Sequence, residues 1–166
     1  MSEVVLARYR RWFEYEKDSH AKTLASLTAV PEDRRDTEAF RKAVYLLSHI
    51  VAARRMWLFR IGVAQENVEL FPQAITLDEL KERLSEMESM WSNYLTRLSD
   101  TELARTFDYR SYEGTEFRNT IEDILTQLFG HSLYHRGQIA LLLRSLSVEP
   151  AVTDFVFWTR EPLAEK

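Results

Sequence analysis

Four polar side chains in an otherwise apolar stretch could do chemistry. Within Asp123 to Leu146, DILTQLFGHSLYHRGQIALLLRSL, the residues Gln127, His131, His135 and Gln138 follow at steps of four, four and three. Those steps keep all four on one face of an α-helix. Leucine, isoleucine and phenylalanine fill much of the remaining circumference, so the stripe is expected to face the interior. Polar groups placed there need hydrogen-bond partners or a metal. Two imidazoles one turn apart suit a divalent transition metal. A third, His49, sits in AVYLLSHIVAA (Ala43 to Ala53), an apolar run interrupted only by Ser48 and His49.

Each signal also has a plainer reading. A core histidine can be satisfied by a partner at each ring nitrogen, and an HxxxH spacing arises by chance and can bond within a core. The glutamate of a zincin helix is missing, since Ser132 follows His131. The pair and the lone ring together, on the two most apolar segments, point to a three-histidine metal site of His49, His131 and His135. Glu16 and His20 fall in register with Phe13 and Leu24. Glu16 is a candidate general base or orienting group and His20 a candidate neighbour of the ion, against the alternative of a solvated helix edge. Gln127 and Gln138 are expected to hydrogen-bond within the stripe, and Arg136 to pair with a carboxylate. Gly137 is expected to admit a neighbouring helix. Tyr45, one turn before His49, either packs in the core or lines the pocket.

The elements that must position these residues are helices. The chain has 166 residues, 45% of them hydrophobic and 12% aromatic, which argues for one folded domain over 1–166 and against disorder. Only four glycines and four prolines leave few turns, favouring a few long helices. The first is expected from about Glu3 to Thr28, with Pro31 beyond its end, and the second from about Thr37 to Ile61, with Gly62 as its stop. A loop of about a dozen residues containing Pro72 follows. The third begins at Thr76, where Thr76-Leu77-Asp78-Glu79 has the capping-box pattern. The fourth starts near Asn119 or Thr120 and runs to about Ser145. Alternation around Glu113-Gly114 predicts a short β-hairpin or irregular excursion between helices three and four. TDFVFWTR, from Thr153 to Arg160, is an aromatic segment expected to pack back onto the rest. The fold class is therefore all-α, a four-helix bundle with that insertion and a short aromatic C-terminal segment.

Composition also excludes. With no cysteine there are no disulfides, iron–sulfur clusters, thiolate zinc sites or cysteine nucleophiles. The net charge is −4 and the arginine pairs are dispersed among acids, so no basic face for nucleic acid is visible. The N-terminal MSEVVLARYRRWFEYEKD lacks a signal-peptide core and no apolar run reaches spanning length, making a cytoplasmic, membrane-free location the expectation. Neither a G-x-S-x-G elbow nor a glycine-rich nucleotide loop occurs.

Tyr9-Arg-Arg-Trp12, His49-Ile-Val-Ala-Ala-Arg-Arg-Met-Trp57 and His131-Ser-Leu-Tyr-His135-Arg-Gly-Gln138 resemble the DinB-like (DinB/YfiT) family over nearly the whole chain and in the same order. The HxxxHRGQ segment is the most specific element. The resemblance implies a four-helix bundle, a homodimer, with a divalent metal held by His49, His131 and His135. Gln127 stands where a further histidine is frequent, Gly130 where asparagine often precedes the pair, and Arg54 where an acidic residue is frequent. Zinc or nickel is the first expectation for the ion, with manganese or iron as alternatives. The function it implies is a metal-dependent enzyme acting on a small molecule. It would either transfer a low-molecular-weight thiol onto an electrophile or hydrolyse by a metal-activated water, the latter favoured if Glu16 reached that water. The alternative is a non-catalytic, stress-related binding protein with a structural metal, for which His20 would be the fourth ligand. DNA repair, suggested by the family's name alone, is opposed by the missing basic face.

Overall fold

Apolar side chains recur at helical spacing along four stretches, and each folds as a long helix in the computed structural model, which describes residues 3–71 and 74–163. The first is α1 (Glu3–Thr28), which ends shortly before Pro31. Then α2 (Glu38–Arg60) starts at Thr37, whose side chain accepts from the Phe40 amide, and stops before Gly62, at φ +83°. That left-handed conformation favours a residue without Cβ. The capping box at Thr76 is present and opens α3 (Leu77–Thr96). The short α4 (Asp100–Ala104) follows, then an antiparallel hairpin of β1 (Thr106–Arg110) and β2 (Glu116–Thr120). Thr106 lies opposite Thr120 and Arg110 opposite Glu116, and Gly114, at φ +88°, makes the turn. Thr120 then opens α5 (Ile121–Ser145) with a second capping box, this time with Asp123. The aromatic segment ends the described chain as α6 (Phe155–Thr159).

The fold is all-helical with a short hairpin insertion. Its described residues hold six α-helices where periodicity suggests four; α4 and α6, five residues each, are too short to show a helical repeat. Pro72 lies outside the described residues. The dominant packing is α2 along α5, with α1 against α3 and α5 and α3 against α2. Between them lies one apolar cluster that includes Phe13, Leu47, Ile50, Trp91, Leu128 and Ile139. The two helices carrying His49, His131 and His135 are thus the most extensively packed pair. No helix of the described residues is long and apolar enough to cross a membrane.

Candidate metal centre

The α2–α5 seam brings His49 against His131 and His135. Nε2 of His131 lies 3.3 Å from that of His49 and 3.1 Å from that of His135. One ring nitrogen from each lies within 4.8 Å of the others, which makes the trio a cluster capable of coordinating a divalent metal. The three rings are half-buried.

What surrounds them fixes the tautomers. Nδ1 of His49 is 2.9 Å from the Leu70 carbonyl, which can only accept, so that nitrogen carries the proton and Nε2 presents a lone pair. His135 does the same through Nδ1 to Oε1 of Gln138 at 2.7 Å. Loss of hydration and the neighbouring His135 and His49 rings lower the His131 pKa to about 4, and burial lowers His49. Both shifts favour the uncharged forms of His49 and His131, and the Nε2 atoms of the three rings are turned on one another. His131 could donate to one neighbour but not to both. A cation at the convergence point satisfies all three, so the residues present fit a divalent ion with N ligands. His131 Nδ1, buried and without a partner, is the one outward nitrogen not held by the protein.

Two cavities flank the trio and share His49. One, about 450 Å³, runs between α2 and α5 and is walled by Tyr45, Phe71, Tyr134, His135 and Leu141, with Lys42 at its edge. The Phe71 ring stacks on His49 at 5.7 Å and 7°, and the Tyr45 ring also lies parallel to it at 6.2 Å. The other, about 270 Å³, lies toward the hairpin and includes His131, Arg60, Gln127, Ser111 and Glu113. The Arg60 guanidinium is packed against the rings of Trp57, Tyr109 and Tyr112 at 4.9–5.6 Å.

Of the other expected site residues, Glu16, His20, Arg136 and Gly137 are elsewhere. Gln127 and the histidines sit at the margin of the core, beside the cavities rather than inside it; the fully buried α5 positions include Ser132 and Arg136, one residue further round the helix. Glu16 is neither on a solvated edge nor at the trio: it is 1% exposed and ion-paired with buried Arg54. His20 is fully buried but bonds Glu88 through Nδ1 at 3.2 Å and lies outside the three-ring group. Arg136 has no carboxylate partner among the described residues; its Nη2 donates to the Tyr15 hydroxyl at 3.0 Å. Gly137 is exposed, and a Cβ there would meet nothing within 4 Å, so it admits no close helix. Gln138 does bond within the stripe, and Tyr45 lines the cavity.

Arg60, Glu113, Phe71 and Tyr134 were missed by sequence reasoning. For Arg60 a signal existed: His49, Ala53, Met56, Trp57 and Arg60 fall at helical steps of four, three, one and three on one face of α2. Glu113 and Phe71 come from loops, and nothing local in the sequence ties them to the histidines.

An all-helical protein with a hairpin insertion and facing imidazoles on two packed helices belongs to the helical proteins able to hold a metal between helices. The model of the DinB family matches residues 1–163. This chain belongs to the DinB family. None of the curated proteins matches it.

Proposed function

We propose that this protein is a metal-dependent transferase that joins a low-molecular-weight thiol to an electrophile, with His49, His131 and His135 as ligands of a divalent ion. In this reading the four long helices are a four-helix bundle forming one domain, and zinc or nickel is the first candidate ion, ahead of manganese and iron. The observation that carries it is the convergence of three Nε2 atoms where two cavities meet. Two substrates could approach the same point from opposite sides.

A divalent cation held there would lower the pKa of a thiol beside it. The protein's own groups do the positioning. Leu70 and Gln138 hold the His49 and His135 rings in the tautomer that presents Nε2 inward. Phe71 and Tyr45 stack parallel to the His49 ring and restrict its rotation. Hydrolysis is the weaker reading, because the nominated base Glu16 is committed to Arg54 inside the core. A structural metal is weaker as well: the group comprises three side chains among the described residues, one fewer than a closed zinc site normally uses.

Elemental analysis of untagged protein, paired with assays of L-cysteine and 1-chloro-2,4-dinitrobenzene, tests the proposal. Wild type should carry one equivalent of metal and form the thioether. His131→Ala and His135→Ala should lose both metal and turnover while remaining folded, since most apolar burial is untouched. Full metal retention in both variants would refute the ligand set; metal without turnover would refute the transferase.

A further inference from the structure

The two cavities differ in chemistry, and the difference assigns them. We propose that the cavity containing Arg60 receives the thiol, which is a zwitterionic, amino-acid-sized molecule, and that the ring-walled cavity receives an apolar, ring-bearing electrophile. This rests on the transferase reading for the roles of the two ligands, though not for their binding.

Arg60 is an unused cation in a prepared position. Rings of Trp57, Tyr109 and Tyr112 surround it, fixing a side chain that would otherwise be mobile. Its hydrogen bond goes to the Arg110 carbonyl at 3.3 Å. Among the described residues it has no carboxylate partner. A guanidinium carries five donors in a fork that matches a carboxylate, so most of its capacity is free. Glu113 lines the same cavity. Its negative charge disfavours a polyanion and suits an ammonium group, so the ligand with the best charge match carries both signs. A volume of about 270 Å³ is at the small end for a ligand site and fits a molecule of amino-acid size. His49 and His131 form its inner wall, which puts a thiol on a short side chain beside the trio.

On the other side the walls are Tyr45, Leu46, Phe71, Tyr134, Leu141 and Leu142, with Gln138 and with Lys42, whose ammonium packs over the Tyr45 ring at 4.5 Å, as the polar members besides the histidines. Aromatic and branched walls of this kind bury a flat apolar body and offer little to a hydrophilic one. His135 and His49 close its inner end. The two ligands therefore meet only at the imidazoles. The step balances as a substitution: the thiol sulfur bonds to the ring carbon of an aryl chloride. The carbon–chlorine bond breaks and chloride leaves with the electron pair. The thiol proton passes to solvent.

Binding calorimetry with S-(2,4-dinitrophenyl)-L-cysteine and S-(2,4-dinitrophenyl)cysteamine, which lacks the carboxylate, tests the assignment on protein of measured metal content. Wild type should bind the cysteine conjugate at least tenfold more tightly than the cysteamine conjugate. Arg60→Gln should bind both alike, and Arg60→Lys should keep part of the preference. Leu141→Asp, at an exposed position that does not hold the core together, should weaken both conjugates by a similar factor of ten or more. Equal binding of the two conjugates by wild type, a preference that survives in Arg60→Gln, or unchanged binding in Leu141→Asp would each overturn it. Turnover of cysteine with 1-chloro-2,4-dinitrobenzene reads the transferase proposal separately: no turnover with the conjugate preference intact supports the cavity assignment and sinks the transferase.

Discussion

His20 lies one turn beyond Glu16 on α1, and its ring bonds Glu88 of α3. Burial lowers its pKa to about 3, the Glu16 charge opposing that shift, and burial raises Glu88 to about 7. Proximity would make this an ion pair, but the ring is fully buried and neutral at physiological pH, so the contact is a hydrogen bond to an uncharged imidazole. The linkage is directional. Between pH 6.5 and about 3 the unfolded chain protonates His20 and the folded chain does not, so stability contributed by the neutral ring is lost as pH falls through that window. Glu88 has the opposite slope, losing stability as pH rises from 4.5 toward 7. Urea unfolding of His20→Gln should therefore show its largest deficit against wild type at pH 7 and a smaller one at pH 4.5. An equal deficit at both values would mean that the ring is not held neutral by the fold. The His131–His135 pair was legible at this scale because spacing fixes which residues share a helical face, whereas His49 was nominated as the lone ring of another apolar run and by the family resemblance. The buried Glu16–Arg54 pair was not legible. Glu16 stands at the margin of an apolar stripe, and its partner is on another helix. Only the packing of α1 against α2 decides between an inward-pointing carboxylate and a solvated edge, and it makes Glu16 half of a buried ion pair.

Thr120 illustrates what can be read for a whole element. Its hydroxyl accepts from the Asp123 amide at 3.1 Å, and the Asp123 carboxylate accepts from the Thr120 amide at 2.9 Å. The amide contact holds the Asp123 carboxyl below its usual value. The box fixes where α5 begins and thus the rotation at which His131 and His135 emerge, ten and fourteen residues after Ile121. Thr120→Ala should cost about 1 kcal/mol of stability, in the range for a lost N-cap, measured by chemical unfolding. Metal affinity should fall less, because the histidines sit three turns in, where the helix is held by α2. A variant as stable as wild type would show that the hairpin, rather than the cap, sets the start of α5. Caps, the Gly62 stop and the hairpin turn were readable because each is written in a few adjacent residues. The rotation of α5 was not. The polar stripe looked interior because the rest of the helix is apolar, yet α2 and α1 cover the edge that includes Ser132 and Arg136 and leave the stripe beside open cavities.

At the scale of the molecule, His49 and the His131–His135 pair sit on the two helices with the most extensive mutual packing, so an ion between them would tie together elements already meeting across the core. Free energy of binding to a site that exists only in the folded chain adds to folding stability. At a free metal concentration 100 times the dissociation constant the gain is about 2.7 kcal/mol. For a chain of this size each kcal/mol moves the thermal midpoint by about 2–4 °C, which gives a rise of about 5–11 °C. The rise should continue with the logarithm of metal concentration, as mass action requires. It should vanish in a His49→Ala, His131→Ala double variant, where neither α2 nor the first turn of the pair offers a nitrogen. That variant also separates two sources of stabilisation. Metal bound weakly to surface carboxylates would stabilise wild type and variant alike, whereas an ion bridging α2 and α5 stabilises only the chain that has rings on both. A midpoint in wild type that does not move at saturating zinc or nickel would mean that the three lone pairs are reconciled by protons or water. The converging imidazoles would then be a polar corner of the core and not a metal centre.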